Sequence, residues 1–239
     1  MEVLTEVWAR VTTRQPTPDA GVVVVAALVA VALVVPRPAW AWTRHLVTIA
    51  HEGSHGAAAV LTGRRLGGIR LHRDTSGLTL SRGRPRGPGM VLTAGAGYVG
   101  PALIGLAAAF ALASGWAVAV LWALLLLLVL LLLQVRNLFG VVSVLATGAV
   151  VLGVSWWGTG TLQSTFAYVV VWFLLVATPR PVVELAAQRR RQATPGSDAD
   201  QLAALTHVPG AVWTAFFLLV TLGALVLGGG ALLGRGLLG

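Results

Sequence analysis

The chain alternates long apolar runs with short polar ones. Seven apolar segments stand out: Ala20 to Val35, Trp40 to Leu61, Met90 to Ala113, Trp116 to Leu133, Leu138 to Trp157, Leu162 to Thr178 and Val208 to Leu227. Each comes near the roughly 20 residues a helix needs to cross a bilayer. None has the two-residue alternation of a barrel strand. The pattern therefore predicts an all-α polytopic membrane protein of about seven transmembrane helices, built as one integral membrane domain over residues 1–239. Two polar stretches interrupt it, a loop at 62–89 and a second at 179–207. In the first, Gly68 to Arg82 alternates apolar and polar residues around Asp74-Thr-Ser-Gly77, which predicts a small β-hairpin at the membrane surface. In the second, Thr194-Pro-Gly-Ser-Asp-Ala-Asp200 predicts a turn followed by a short helix.

Composition agrees with the bilayer. The chain is 56% hydrophobic, with mean hydropathy +0.83 and only 10% charged residues, against about 25% charged in soluble domains. All 17 basic residues are arginine. They flank apolar segments, so the net charge of +9 points to a membrane partner and not to nucleic acid. Arg64, Arg65, Arg70, Arg73, Arg82, Arg84 and Arg86 fill the first loop; Arg180, Arg189, Arg190 and Arg191 fill the second; Arg136 lies between the fourth and fifth segments. The positive-inside rule makes these regions cytoplasmic. With seven crossings the N-terminus is then cytoplasmic and the C-terminus outside, with Arg37, Arg44 and Arg235 as exceptions on the outer side. The absence of lysine and the wealth of Ala, Val, Leu and Gly fit a GC-rich bacterial coding sequence, hence a bacterial cell membrane. The N-terminus, with Glu2 and Glu6, lacks the pattern of a secretory signal. Trp40, Trp42, Trp116, Trp156 and Trp157 lie near segment ends, as in an interfacial belt. Nothing in the pattern assigns an oligomeric state.

Cysteine is absent, so a metal would need His, Asp, Glu or Asn. His51-Glu-Gly-Ser-His55 in the second segment has the H-E-x-x-H spacing. On a helix, positions i and i+4 share a face, so His51 and His55 can offer two imidazoles to one ion. Glu52 beside them can take a proton from a metal-activated water and return it to a leaving amine. Glu52 is also the only acidic residue within the seven segments, and an unpaired carboxylate in a bilayer costs several kcal/mol. His55 precedes Thr62 by about 10 Å of helix, which predicts a site within the membrane towards the cytoplasmic side. His45, His72 and His207 read as ordinary surface or interfacial residues. Ala94-Gly-Ala-Gly-Tyr-Val-Gly-Pro101 reads as a surface for close helix packing.

With these residues, and with Arg136-Asn-Leu-Phe-Gly140 and Ser197-Asp-Ala-Asp-Gln-Leu202, the chain resembles the site-2 protease family of intramembrane zinc metallopeptidases, in its short bacterial B-like branch. The resemblance implies a Zn2+ endopeptidase acting in regulated intramembrane proteolysis, cutting single-span membrane protein substrates near the cytoplasmic face. It also implies a third ligand, an aspartate followed by glycine on a later span. Here Phe139 stands where that acid is expected. Asp198 is the first candidate to replace it, although the Ser197–Asp200 pattern also reads as a helix cap. Asn137 is the second, as a ligand, as a donor to substrate or oxyanion, or as a plain polar helix start. A metal-binding membrane protein without protease activity, such as a transporter or pseudoprotease, and a structural membrane protein with a chance motif remain as alternatives.

Overall fold

A computed structural model describes residues 2–191 and 196–234. The order is α1 (Glu2–Thr12), α2 (Ala20–Val34), α3 (Arg37–Leu61), β1 (Arg65–Leu71), β2 (Gly77–Arg82), α4 (Pro88–Ala113), α5 (Ala117–Leu132), α6 (Leu138–Trp157), α7 (Gly160–Ala177), α8 (Pro179–Arg190), α9 (Asp198–Thr206) and α10 (Gly210–Leu232). Among the described residues, four helices are long and apolar enough to cross a membrane, or five if α2 and α3 together form one broken span. Helix α5, at 16 residues, is shorter. Leu126, Leu130, Leu219 and Val226 are exposed on the outer faces, as expected of a multi-pass membrane protein whose lipid solvent is itself apolar.

The count departs from seven for two reasons: α2 and α3 meet at 100°, and α5 is short. Val35-Pro36-Arg37-Pro38 sets the break: neither proline has an N–H to carry the helical ladder across this stretch, and Pro38 cannot donate to the Val34 carbonyl. Pro36 is extended, with ψ 132°. Arg180 then fastens the bend. It donates to the carbonyls of Val34 and Val35, which have lost their helical partners, and stacks over the Trp40 ring. Trp40 is accordingly buried and donates to Glu184 at 2.9 Å, so it is no interfacial anchor, whereas Trp42 and Trp157 remain exposed.

The bend also revises the sidedness expected from the arginines. Gln15 meets the start of α5, with its N–H bonded to Gly115 and its side-chain oxygen accepting from Val118. Past the far end of α5, Gln134 and Arg136 pair with Ile69 of the hairpin. A 16-residue helix is about 24 Å long. The N-terminal segment therefore lies at the opposite end of the molecule from the arginine-rich loop. Arg44, expected on the far side, lies 3.3 Å from Glu184 of α8 and belongs with the loop arginines.

The hairpin forms as expected, beginning three residues earlier, with a register shift between Leu66 and Gly68. It lies along α3: Thr48 of the helix donates to the Thr75 carbonyl at the turn, and Arg64 N–H bonds Ala59 at the other end. Ile69 gives both its N–H and its C=O to Gln134 and Arg136, which leaves the outer edge of β2 as the open edge of the sheet.

Helices α2, α4, α5, α7 and the end of α10 share the main apolar core. A smaller cluster of Ala94, Val182, Leu185, Ala199, Leu202 and Phe217 joins α4, α8, α9 and α10. Because the chain has no cysteine, single-cysteine variants report the end assignment directly. Thr13→Cys and Arg84→Cys are expected to react with a membrane-impermeant thiol reagent from opposite faces of sealed vesicles. Labelling of both from one face would contradict the fold.

Candidate metal centre

His51, Glu52 and His55 lie on the α3 face covered by α4, β2 and α9. Glycine makes that approach possible. A Cβ on Gly97 would overlap Nε2 of both histidines, and one on Gly100 would strike Ser54. The packing role expected of the Gly-rich stretch is thus filled by Gly97 and Gly100, while Gly95 faces open space.

The His55 ring is oriented from behind. Its Nδ1 lies 2.7 Å from the Thr93 carbonyl oxygen. A carbonyl can only accept, so Nδ1 carries a proton, and Nε2 is the nitrogen turned towards His51 and Asp198. The His51 ring is braced edge-on by Tyr98, with centroids 4.8 Å apart, and Tyr98 stacks in turn on Phe217.

Asp198 closes the group. Its Oδ2 lies 3.3 Å from Nε2 of His51 and 3.3 Å from Nε2 of His55, and the two nitrogens are 3.1 Å apart. This is the one group of three potential metal-holding side chains among the described residues. Zinc binds such atoms tetrahedrally at about 2.0–2.2 Å, which sets neighbouring ligand atoms about 3.3–3.6 Å apart. The trio has nearly that spacing, and two imidazoles with one carboxylate are a fitting donor set.

The two readings of the Ser197–Asp200 stretch fall on different residues. Ser197 caps α9 with Asp200 as its reciprocal partner. Arg189 also pairs with Asp200, and the Ser197 hydroxyl and this arginine hold the Asp200 carboxyl down at about 2. Asp198 is therefore not needed for the cap and turns to the histidines. Burial works to raise its carboxyl, but the two imidazoles outweigh that and keep it below the usual carboxylate range. Ala199 and Leu202, fully buried in the smaller cluster, set the rotation of α9. Thr194 and Pro195, where the preceding turn was expected, lie outside the described residues.

Glu52 is buried against β2. The Thr79 hydroxyl donates to its Oε2 at 2.6 Å and lies 3.1 Å from its backbone oxygen. Gly77 admits the carboxylate, since a Cβ there would overlap it.

Asn137 is not part of the trio. Its amide N–H donates to the Leu71 carbonyl at 2.7 Å, and its Oδ1 accepts from the Leu71 N–H at 3.1 Å. The side chain imitates a peptide and prolongs the contact that Gln134 and Arg136 make with β1. The remaining histidines are also elsewhere: His45 packs on Phe139, His72 contacts Ser76 in the exposed turn, and His207 ends α9 in a left-handed conformation. Thr79, Tyr98 and the Thr93 carbonyl escaped the sequence reading. A lone threonine in a strand and a backbone oxygen carry no motif; Tyr98, a polar aromatic within an apolar segment, was the one visible hint.

A cleft of about 450 Å³ opens onto the trio, lined by α3, the hairpin turn, β2, the start of α4 and the segment around Asp198. A histidine pair with an adjacent buried glutamate and a third carboxylate is thus set among membrane-type helices and opens to a cleft. The chain belongs to the peptidase M50B-like family, whose profile matches residues 24–228, in agreement with the site-2 protease resemblance. Comparison with curated proteins and with solved structures gives no match.

A methyl at position 97 cannot coexist with the converging rings. Gly97→Ala is expected to weaken zinc binding about 10–100-fold, the scale of disturbing a ligand's support. Gly95→Ala should leave it unchanged, as measured by competition with a chromophoric chelator. Equal affinities would contradict the packing described.

Proposed function

We propose that this chain is an intramembrane zinc metalloendopeptidase that hydrolyses a peptide bond of a single-span membrane protein near the cytoplasmic face of a bacterial cell membrane, as a step in regulated intramembrane proteolysis. The convergence of His51, His55 and Asp198 beside a buried glutamate carries the reading. His51 and His55 would hold the metal through Nε2, and Asp198 through a carboxylate oxygen. Bound there, zinc supplies Lewis acidity and lowers the pKa of water to about 7.

The protein's own groups do the rest. Glu52 takes the proton of the attacking water as its oxygen bonds to the scissile carbonyl carbon. The C–N bond then breaks, and Glu52 delivers that proton to the departing amine nitrogen. Thr79 anchors one carboxylate oxygen and leaves the other for the proton. Thr93 keeps His55 in the tautomer that presents a lone pair. Asn137 acts through β1 as a positioning residue, holding the hairpin against Glu52.

The open edge of β2 borders the cleft, and an extended substrate segment can add to it as a further strand. The pairing of Ile69 with residues 134 and 136 turns its peptide groups away from β2, so those of its partner Thr79 face the open edge. The arginine-rich end is assigned to the cytoplasm. Both ends of the described chain then lie on the other side, because α10 returns from Arg189, beside Gly210, to Ala109, beside Gly228.

Elemental analysis in parallel with cleavage of a single-span substrate tests the proposal. Wild type and Glu52→Gln should carry about one zinc per chain, and Asp198→Ala should lose it. Asn137→Ala should retain zinc, which separates its role from that of a ligand. Glu52→Gln should lower the cleavage rate about 100-fold or more. A metal-free wild type, or a Glu52→Gln variant cleaving at the normal rate, would overturn the reading.

A further inference from the structure

The cleft contains a cation that neither the metal centre nor the proposed hydrolysis uses. Arg44 lies seven residues before His51 on α3 and lines the same cleft. Seven residues of helix span about 10 Å. Its side chain is 35% exposed, and its one ion-pair partner among the described residues is Glu184, at 3.3 Å. That distance exceeds the 2.7–2.9 Å typical of charge-assisted bonds, and the facing Glu184 Oε2 accepts no hydrogen bond.

Glu184 is already engaged elsewhere. Its Oε1 accepts from Trp40 at 2.9 Å and from Arg180 at 3.3 Å. Arg180 is itself committed to the Val34 and Val35 carbonyls. One carboxylate thus faces two guanidinium groups, and the surplus positive charge belongs to Arg44, whose five N–H donors form a fork suited to a carboxylate. Nothing else from the described residues fills that fork.

Resting on the peptidase reading, we propose that Arg44 is a specificity subsite for an acidic side chain of the substrate. An extended chain advances about 3.3 Å per residue, so a segment crossing the metal centre places its third residue from the scissile bond at Arg44. The preferred substrate carries Asp or Glu about three positions from the bond cut.

The test uses the full-length protein in phosphatidylcholine vesicles with synthetic single-span peptides. These are identical except for one Asn or Asp moved stepwise along the four residues on either side of the cleaved bond. With wild type, Asp should raise kcat/KM over Asn at least about tenfold at one position near the third, the scale of one charge-assisted hydrogen bond. Arg44→Gln should abolish that preference, and Arg44→Glu should favour Lys at the same position. Glu184→Gln, which removes the ion-pair partner but keeps the guanidinium, should retain the preference for Asp. Binding of the labelled Asp and Asn peptides to Glu52→Gln, followed by fluorescence anisotropy, should show the same ranking without turnover.

Equal rates for Asp and Asn at every position would overturn the subsite while the peptidase reading stands. So would loss of the preference in Glu184→Gln, which would make Arg44 a structural strut. A preference abolished by adding phosphatidylglycerol would assign the guanidinium to lipid phosphate and also overturn the proposal. Failure to cut any peptide, with no Asp ranking in the binding assay, would remove both readings together.

Discussion

A carboxylate withdrawn from water must find a partner or lose its charge, and in this chain that requirement organises the end of the molecule where the cleft lies. Three acidic side chains sit partly or wholly away from water there, and each is met differently. Glu52 has the Thr79 hydroxyl, Asp198 has two imidazoles, and Glu184 has an indole and two guanidinium groups. Because these partners come from different elements, satisfying them fixes how α3, the hairpin, α8 and α9 stand against one another. Burying ionised groups without such pairing would cost several kcal/mol each.

The hairpin is more than a surface decoration. One of its strands carries Thr79 and Gly77 against Glu52, and the other is tied to the chain after α5 through Ile69 and through the Asn137 amide. Thr79, which donates to Glu52, is thus supported by a two-stranded sheet anchored on both sides. A two-stranded hairpin is marginal by itself, and its packing along α3 supplies what it lacks.

The trio of His51, His55 and Asp198 depends on two kinds of precision. The histidine pair is local, since one turn of helix brings the rings together whatever the rest of the chain does. Asp198 is remote: it arrives only because Ala199 and Leu202 bury into the cluster under α8 and α10, and because Asp200, not Asp198, completes the α9 cap. Gly97 then keeps α4 close without filling the space where the rings converge.

The apolar segments, the hairpin and the histidine–glutamate motif were legible in the residues because each rests on short-range periodicity or spacing. The packing role of the Gly-rich stretch was legible for the same reason. What sequence could not decide was anything set by closure over long separations. Whether Asp198 caps α9 or faces the histidines is decided by which of two aspartates the first turn of the helix points inward. The role of Asn137 depends on a strand 66 residues away. The end of the molecule at which the N-terminal segment lies turned on the 100° bend between α2 and α3. The two prolines announce a break there, but its angle is set by Arg180 and the packing of Trp40, contacts that no local pattern encodes.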